Sequence, residues 1–165
     1  MLDWGKITVL FTDVDGVLTD GSVYFGVDGQ AFKRYNVHDG YGIRRLVDAG
    51  VRVVFVSGDE ADMIRARAER LGVREAYLGV QDKGSLVRQI LERDGIPRSQ
   101  ACYIGDDVPD IPAMAQVGVP VAVANARPEV KAAALYVTSA RGGEGAVREV
   151  CDLILQARQE EKKLR

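Results

Sequence analysis

"FTDVDGVLTDG", residues 11–21, is the stretch that decides the fold, because an apolar run ends there on two aspartates. The carboxylates of Asp13 and Asp15 are close in sequence, and neighbouring like charges raise the free energy unless a cation or a reacting group offsets them. The stretch therefore predicts a buried strand, "ITVLFT" (residues 7–12), that carries two acidic groups to a ligand site.

Further apolar runs of strand length recur along the chain, and segments with a helical apolar stripe separate them. The runs are "VRVVFVS", "EAYLGV", "ACYIGD", "VPVAVA" and "LYVTS". Such Val-, Ile- and Leu-rich runs are typical of parallel strands that are covered on both faces. We predict an α/β fold, a Rossmann-like parallel sheet with helices on both faces.

Glycines follow the predicted helices, as in "EADMIRARAERLG" (residues 60–72) and "KGSLVRQILERDG" (residues 83–95). A helix often ends in a left-handed residue, and glycine adopts that conformation without a steric penalty. We therefore predict left-handed C-caps at four glycines: Gly50, Gly72, Gly95 and Gly118.

Two segments depart from this alternation of strands and helices. Residues 21–37, "GSVYFGVDGQAFKRYNV", have two alternating runs around "VDG" and predict a β-hairpin inserted after the first strand. The C-terminal "QARQEEKKLR" has no apolar stripe beyond its first turn and predicts a frayed tail. We expect one domain over residues 1–158 and a charged tail over residues 159–165.

Composition and charge favour a small partner. The 22 basic and 24 acidic residues give a net charge of −2, which predicts neither a nucleic-acid footprint nor a membrane surface. The apolar run in the N-terminal "MLDWGKITVLF" is too short for a signal peptide or a transmembrane helix. We therefore predict a cytoplasmic protein. Cys102 and Cys151 lie far apart and are expected to be reduced and buried.

Polar side chains follow several of the predicted strands, at the edge where open α/β sheets bind ligands. Carboxylate oxygens are ligands that Mg²⁺ prefers, and magnesium also keeps waters and phosphate oxygens. The sequence predicts a magnesium and phosphate site built from Asp13, Asp15, Ser57, Gly58, Asp59, Lys83, Asp106, Asp107 and Asp110.

These residue types fit phosphoryl transfer to a carboxylate. Asp13 is the predicted attacker, and Mg²⁺ with Lys83 would supply the positive field that a phosphate dianion requires. A sugar alkoxide leaves poorly without a proton, which Asp15 could donate before it activates the hydrolytic water. Ser57 and the backbone N–H groups near Gly58 would hold the phosphoryl group.

Other interpretations of the same residues stay open at this point. Aspartates after a strand are often turn formers or helix caps, and Asp107 fits a helix N-cap as well as a supporting role. A phospho-receiver domain also clusters acids with a lysine, but it places its phospho-accepting aspartate on the third strand. A non-catalytic module is the third alternative, and a lost nucleophile or lysine would mark it.

The motifs "DVDGV", "VSGD", Lys83 and "GDDVPD", in that order, resemble those of the haloacid dehalogenase superfamily of phosphohydrolases over residues 7–125. The resemblance implies that Asp13 is the nucleophile and a metal ligand, and that Asp106 is a second ligand. It also implies that Asp15 is the acid and base and binds the metal through its backbone carbonyl. Ser57 and Lys83 would contact phosphate, and Asp110 would orient Lys83.

A closer resemblance covers nearly the whole chain. "TDGSVYFGVDGQAFKRYNVHDGYGIRRL" and "GGEGAVREVCDLIL" are similar to the capless branch typified by 3-deoxy-D-manno-octulosonate 8-phosphate phosphatase. The resemblance implies that no cap domain is present and that the substrate is a phosphorylated sugar acid. It further implies a homotetramer packed through the hairpins, with active sites near subunit interfaces. Tyr24 and Phe25 are expected to pack within the hairpin or at a subunit interface, with sugar binding as the alternative interpretation.

Two positions depart from the octulosonate pattern, which usually has arginines there. This chain has Asp59 after the serine–glycine pair and Glu144 in the "GGEG" stretch. This pattern is similar to that of the sister branch that acts on nine-carbon ulosonate 9-phosphates. That branch has an acid at the position of Asp59 and a basic residue at the position of Arg70. The eight-carbon acid is the leading substrate and the nine-carbon acid the alternative. The predicted sugar contacts are Asp15, Asn36, Val37, His38, Asp39, Gly40, Arg44, Asp59, Arg67 and Arg70, with a plain surface position as the other interpretation of His38.

Overall fold

A six-stranded parallel sheet forms the centre of the molecule in the computed structural model, which describes residues 2–164. Its strands are β1 Val9–Thr12, β4 Arg52–Val56, β5 Glu75–Tyr77, β6 Ala101–Gly105, β7 Val119–Ala122 and β8 Tyr136–Val137. They lie in the order β5-β4-β1-β6-β7-β8 and pair in parallel throughout. The predicted α/β sheet is confirmed.

Helices connect these strands and cover the sheet. Every residue of β1 and of β6 is buried, which requires cover on both faces because successive side chains point to opposite sides. Helix α1 packs against α6, and α3 packs against α4. The bounds are α1 Val37–Asp48, α2 Asp62–Arg70, α3 Lys83–Arg93, α4 Ile111–Met114, α5 Pro128–Ala133 and α6 Ala146–Lys163. Within residues 2–164, no helix combines the length and the apolar character needed to span a membrane.

Three of the four predicted glycine caps are confirmed. Gly50, Gly72 and Gly95 have φ values of 78°, 75° and 63° and follow the ends of α1, α2 and α3. The prediction for Gly118 is wrong, since its φ is not in the left-handed region. Gly118 instead lies against the backbone of Arg98, whose carbonyl oxygen accepts its N–H at 2.7 Å, and a Cβ there would crowd that segment.

The predicted hairpin after the first strand is present. Strands β2 (Tyr24–Phe25) and β3 (Ala31–Phe32) pair antiparallel, and an isolated bridge between Thr19 and Tyr35 joins the base of the hairpin. Tyr24 and Phe25 are exposed. The hairpin is therefore a projecting element that is held to the core at its base.

The C-terminal segment is helical, so the prediction of a frayed tail is wrong. Helix α6 continues to Lys163 because its last turns lie against the N-terminal segment of the chain. Arg158 donates a hydrogen bond to the Ile7 carbonyl at 2.9 Å, and the Glu161 carboxylate lies over Gly5. The division at residue 158 stays a prediction, and residue 165 of the predicted tail lies outside the described residues.

A distant part of the chain supports the loop that follows β1. Asn125 donates to the Gly16 carbonyl at 3.2 Å and accepts the Gly142 N–H at 2.6 Å. The Gly143 N–H reaches the Val17 carbonyl at 3.0 Å. A Cβ on Gly142 would overlap the Gly16 carbonyl, so glycine is required for this approach of two backbones. The segment before α6 therefore braces the loop that carries the two aspartates.

Candidate active site

The residues that follow β1, β4 and β6 meet in a cleft of about 500 Å³ at the carboxyl end of the sheet. Parallel strands bring their carboxyl ends to one edge, so residues far apart in sequence become neighbours there. The lining consists of Asp13, Asp15, Gly21, Gly58, Asp59, Val80, Gln81, Lys83, Asp106, Asp107, Pro109 and Asp110. Eight of the nine residues predicted for the magnesium and phosphate site are in this lining, and Ser57 is not.

One buried cation lies between two carboxylates at the base of this cleft. The Lys83 ammonium is 2.9 Å from Asp13 Oδ1 and 2.8 Å from Asp110 Oδ1, and the exposed fractions of the three side chains are 6%, 9% and 1%. Asp82 caps α3 by accepting the Ser85 N–H, which fixes Lys83 at the first helical position. We call these three residues, Lys83, Asp13 and Asp110, the Lys83 cluster.

Asp110 has little capacity left for another ligand. It accepts hydrogen bonds from the Tyr103 hydroxyl at 2.7 Å and from the Asp106 N–H at 3.0 Å, besides the Lys83 ammonium. A Cβ on Gly105 would crowd its carboxyl group, so the glycine at the end of β6 makes room for it. Burial opposes ionisation of Asp110, but Lys83 and Tyr103 hold its pKa below the usual range. Asp110 therefore stays charged and orients the lysine.

Protonation of the remaining groups is set by burial and by mutual repulsion. Burial and the Asp110 charge raise the pKa of Asp13 well above its usual value, although Lys83 acts in the opposite direction. Burial, with the nearby acids, also raises the pKa of Asp106, to about 6. Burial would lower the pKa of Lys83, but Asp13 and Asp110 raise it above its usual value, so the ammonium persists. The acids thus outnumber the cations in this part of the cleft.

The acidic groups fit a hard divalent cation. Oxygen atoms of Asp13, Asp106 and Asp110 lie within 4.8 Å of one another. All are carboxylate oxygens, which suit Mg²⁺. A cation would offset the burial and the repulsion that together raise the pKa values of Asp13 and Asp106. Because Asp110 is already occupied by Lys83 and Tyr103, Asp13 and Asp106 are the side chains that fit the metal.

Two predicted residues beside the cleft make local backbone contacts. Asp107 accepts the Val108 N–H at 2.7 Å and forms a capping box with Asp110, so the N-cap interpretation of Asp107 is confirmed. Ser57 is buried, and its hydroxyl oxygen accepts the Asp59 N–H at 3.1 Å. That bond shapes the turn after β4, which presents Gly58 and Asp59 to the cleft.

Most of the predicted sugar contacts lie around the ends of α1 and α2 instead of in the cleft lining. Asn36 caps α1, and the buried Asp39 accepts the Arg148 N–H of α6 at 2.9 Å. Arg67 donates to the Asn36 carbonyl at 3.3 Å and lies over the Tyr35 ring. Among the described residues, the lining includes Asp15 and Asp59 but not Asn36, Val37, His38, Asp39, Gly40, Arg44, Arg67 or Arg70.

Several of these outer residues have contacts or exposures that account for their identity. A Cβ on Gly40 would collide with the Arg67 guanidinium, so glycine leaves room for that side chain. Arg44 donates to the Arg70 carbonyl at 3.0 Å. Val37 and His38 are exposed at the start of α1. Their roles in sugar binding remain predictions.

Sequence reasoning missed Lys33, a hairpin residue that contacts two acids of the cleft lining. Its ammonium lies 2.6 Å from Asp15 Oδ1 and also contacts the Asp59 carboxylate, and its side chain is only 2% exposed. Burial would lower the pKa of Lys33, but the two carboxylates raise it, while Lys33 lowers the pKa of Asp59. The one signal in the sequence was the alternation of the hairpin, which places Lys33 and Tyr35 on the same side. Tyr103 and Asn125 were missed as well.

Known proteins resemble this chain in both sequence and structure. The family model of haloacid dehalogenase-like hydrolases matches residues 79–150. The 3-deoxy-D-manno-octulosonate 8-phosphate phosphatase of Yersinia pestis is 47% identical over 92% of this chain and 81% of its own length. The cobalt-bound form of the deoxy-D-mannose-octulosonate 8-phosphate phosphatase of Haemophilus influenzae has a TM-score of 0.90 at 41% identity. The match covers 95% of this chain and 92% of that one.

A third relative carries ligands. The Moraxella catarrhalis 3-deoxy-D-manno-octulosonate 8-phosphate phosphatase, solved with magnesium, phosphate and a KDO molecule, has a TM-score of 0.93 at 34% identity. The match covers 98% of this chain and 93% of that one. The fold and the acidic cleft are those of a haloacid dehalogenase-like hydrolase. Within that class, the chain belongs to the 3-deoxy-D-manno-octulosonate 8-phosphate phosphatase family.

Proposed function

We propose that this chain is a Mg²⁺-dependent phosphatase that hydrolyses 3-deoxy-D-manno-octulosonate 8-phosphate to the free sugar acid and phosphate. The observation that carries the proposal is the buried Lys83 cluster at the base of an acidic cleft, where Lys83 lies 2.9 Å from Asp13. A lysine there offsets both the carboxylate and the incoming phosphate. The names and ligands of the relatives support the substrate and the metal.

In the first step, an Asp13 carboxylate oxygen attacks phosphorus and the bond from phosphorus to the sugar oxygen breaks. Asp15 donates a proton to that leaving oxygen, because an alkoxide is too basic to depart as an anion. The Lys83 ammonium and the backbone N–H groups near Gly58 neutralise and orient the equatorial oxygens. Ser57 shapes the turn that presents those N–H groups. The product of this step is a phosphoryl group covalently bound to Asp13.

In the second step, water cleaves this acyl phosphate. The Asp15 carboxylate, which lost its proton in the first step, takes a proton from the water as the water oxygen attacks phosphorus. The bond between phosphorus and Asp13 breaks, and the carboxylate is restored as phosphate leaves. Asp110 keeps Lys83 directed at the reacting group through both steps.

Asp13, Asp106 and the backbone carbonyl of Asp15 are the groups that would hold Mg²⁺. The bound ion would neutralise the acids and the phosphate, so that an anionic nucleophile can approach an anionic substrate. Gly16 has φ +84°, and a Cβ there would collide with the Asp106 carboxyl group. Glycine at that turn therefore lets Asp106 approach the loop after β1.

The nine-carbon ulosonate 9-phosphate remains the second candidate substrate. The observation in its favour is the acid at position 59, which lines the cleft where octulosonate enzymes are expected to have arginine. We would measure steady-state phosphate release with Mg²⁺ on both sugar phosphates. A higher kcat/KM for the eight-carbon acid supports the proposed substrate, and a higher value for the nine-carbon acid replaces it.

We also infer that the protein is a cytoplasmic homotetramer that packs through its hairpins. Phe25 is 76% exposed and Tyr24 51%, and paired exposed aromatic residues are typical of contact surfaces. Both cysteines are free and buried, which fits a reducing compartment. Sedimentation analysis of the wild type and of a Phe25→Asp variant tests the assembly, since the added charge should dissociate it.

The covalent mechanism is tested with Asp13→Asn. We expect about a 10⁴-fold loss of kcat because the amide is no nucleophile. We expect no loss of unfolding free energy, because the Asp13 carboxylate is buried and is repelled by Asp110, and its removal relieves both. Phosphate release and urea unfolding measure the two quantities. Activity retained in a folded Asp13→Asn protein would exclude the aspartyl-phosphate.

A further inference from the structure

Lys33 is the hairpin residue that contacts the cleft acids. It follows β3, where side chains alternate between the two sides of the strand. Phe32 and Arg34 point outward and are exposed, whereas the Lys33 side chain is buried and Tyr35 is half-buried. The alternation therefore directs the Lys33 side chain into the protein and the Arg34 side chain towards solvent.

The Lys33 ammonium joins two carboxylates that come from different strands. It lies 2.6 Å from Asp15 Oδ1, after β1, and contacts the Asp59 carboxylate, after β4. Asp59 is fixed in turn, because its carboxylate accepts the Ala61 N–H at 3.1 Å and its own N–H donates to Ser57. The position of Asp15 thus depends on a lysine that is anchored by the start of α2.

The backbone around Lys33 is held on both sides. Tyr35 forms the bridge with Thr19. The Arg67 guanidinium lies over the Tyr35 ring, 5.2 Å from the ring centre. On the other side, the neighbouring Phe32 pairs with Tyr24 across the hairpin. A long side chain loses rotamer freedom when it is fixed, so a buried and doubly paired lysine at this place needs such support.

Resting on the proposed function, we propose that Lys33 is a positioning residue that directs the Asp15 carboxyl group at the leaving oxygen, and that Asp59 anchors Lys33 for this purpose. Asp59 then has a role within the protein, as the second partner of Lys33. The hairpin is accordingly part of the acid–base apparatus, since Asp15 has its cationic partner on that element.

The proposed role of Lys33 predicts different rate effects for two kinds of leaving group. A sugar alkoxide or a phenolate of high basicity needs the proton from Asp15 as its bond to phosphorus breaks, whereas 4-nitrophenolate leaves as a stable anion without one. Attack by Asp13 and stabilisation by Lys83 are the same for all these esters. A misdirected Asp15 should therefore slow the first kind and spare the second.

The test compares Lys33→Met with the wild type on the sugar acid phosphate, phenyl phosphate and 4-nitrophenyl phosphate. The quantity is kcat/KM, which reports the steps through cleavage of the ester bond. We expect a fall of about 100-fold for the first two substrates, the lower end of what general acid catalysis contributes, and less than about threefold for the third. An equal fall on all three, or no fall on any, overturns the inference.

Arg34→Met is the matched control, because it removes the neighbouring cation of the same hairpin arm, which faces Asp20 and Glu144. We expect all three kcat/KM values to stay within about threefold of the wild type, as for a change at an exposed ion pair. A selective loss with Arg34→Met equal to that of Lys33→Met would assign the effect to the charge of the hairpin and overturn the role of Lys33.

Failure of the proposed substrate can be told apart from failure of this inference. If the wild type does not hydrolyse the sugar acid phosphate but cleaves the aryl esters, the proposed substrate is wrong. The comparison of phenyl with 4-nitrophenyl phosphate then still tests Lys33. Lys33→Gln, which keeps a polar side chain of similar length, repeats the test if the methionine variant does not fold.

Discussion

The Lys83 cluster and a second cluster at the opposite end of the sheet share one arrangement, a cation held between two carboxylates. In the second, which we call the Arg52 cluster, Arg52 lies 2.6 Å from both Glu75 and Asp94. It belongs to the amino end of β4, whereas the Lys83 cluster lies beyond the carboxyl end of β1. The Arg52 side chain is 26% exposed and the Lys83 side chain 6%.

The difference in exposure gives the two clusters different consequences. Water screens the Arg52 cluster, and exposed ion pairs of this kind contribute about 0 to 1 kcal/mol. The Lys83 cluster is shielded from water, so removal of its cation leaves buried charges unpaired and removes a strong field from the cleft. The same pairing is a minor support at one end of the sheet and the basis of the chemistry at the other.

Lys83→Met should have the largest effect, because it removes the cation from the buried cluster. We expect kcat/KM to fall about 10³-fold, as when one preorganised charge donor is lost, and the unfolding free energy to fall by about 3 kcal/mol. Phosphate release and urea unfolding measure the two. If Lys83→Met lost no more activity and no more unfolding free energy than Arg52→Met, burial would not distinguish the two clusters.

Magnesium binding should raise the unfolding free energy by an amount between the effects of Lys83→Met and Arg52→Met. At a free concentration 100 times its Kd, the ion should raise the unfolding free energy by about 2.7 kcal/mol. Asp106→Asn should abolish most of this gain because a ligand is lost, while Arg52→Met should keep it. Thermal unfolding with magnesium and after chelation gives the answer, and an equal gain in Asp106→Asn would exclude Asp106 as a ligand.

Arg52→Met should have the smallest effect and should depend on pH. The ion pair with Arg52 lowers the pKa of Glu75 from its ordinary value of 4.5, so the pair stabilises the fold fully above pH 4.5 and progressively less below it. We expect a loss of about 0.5 kcal/mol at pH 7 that is smaller at pH 3, with kcat/KM unchanged. Urea unfolding at the two pH values tests this, and a loss that grew on acidification would contradict it.

The sequence predicts the sheet and the acidic cleft because both depend on local patterns. The apolar runs specify buried strands, and the rule that parallel strands end at one edge brings Asp13, Lys83 and Asp106 together. Their spacing in sequence matters little, since the topology alone makes them neighbours. For the same reason, the left-handed glycines at positions 50, 72 and 95 follow from the helices that they end.

The features that sequence reasoning missed depend on contacts between distant segments. Lys33 looks like any lysine of an exposed hairpin until the fold places Asp15 and Asp59 against it. The last turns of α6 have a polar sequence and are helical because the N-terminal segment lies against them. Glycine is needed at position 118 because a Cβ there would crowd the Arg98 backbone. No local sequence pattern reveals that contact.

The brace formed by Asn125, Gly142 and Gly143 has a consequence for how the protein is made. Asp13 leaves the ribosome well before Asn125, Gly142 and Gly143, the residues that fix its loop. Contacts between residues so far apart in sequence close slowly, and they cannot close until both segments have emerged. A nascent chain that stalls before residue 142 has its strands and its acids but no fixed loop, so activity should arise only after Gly142 and Gly143 have emerged.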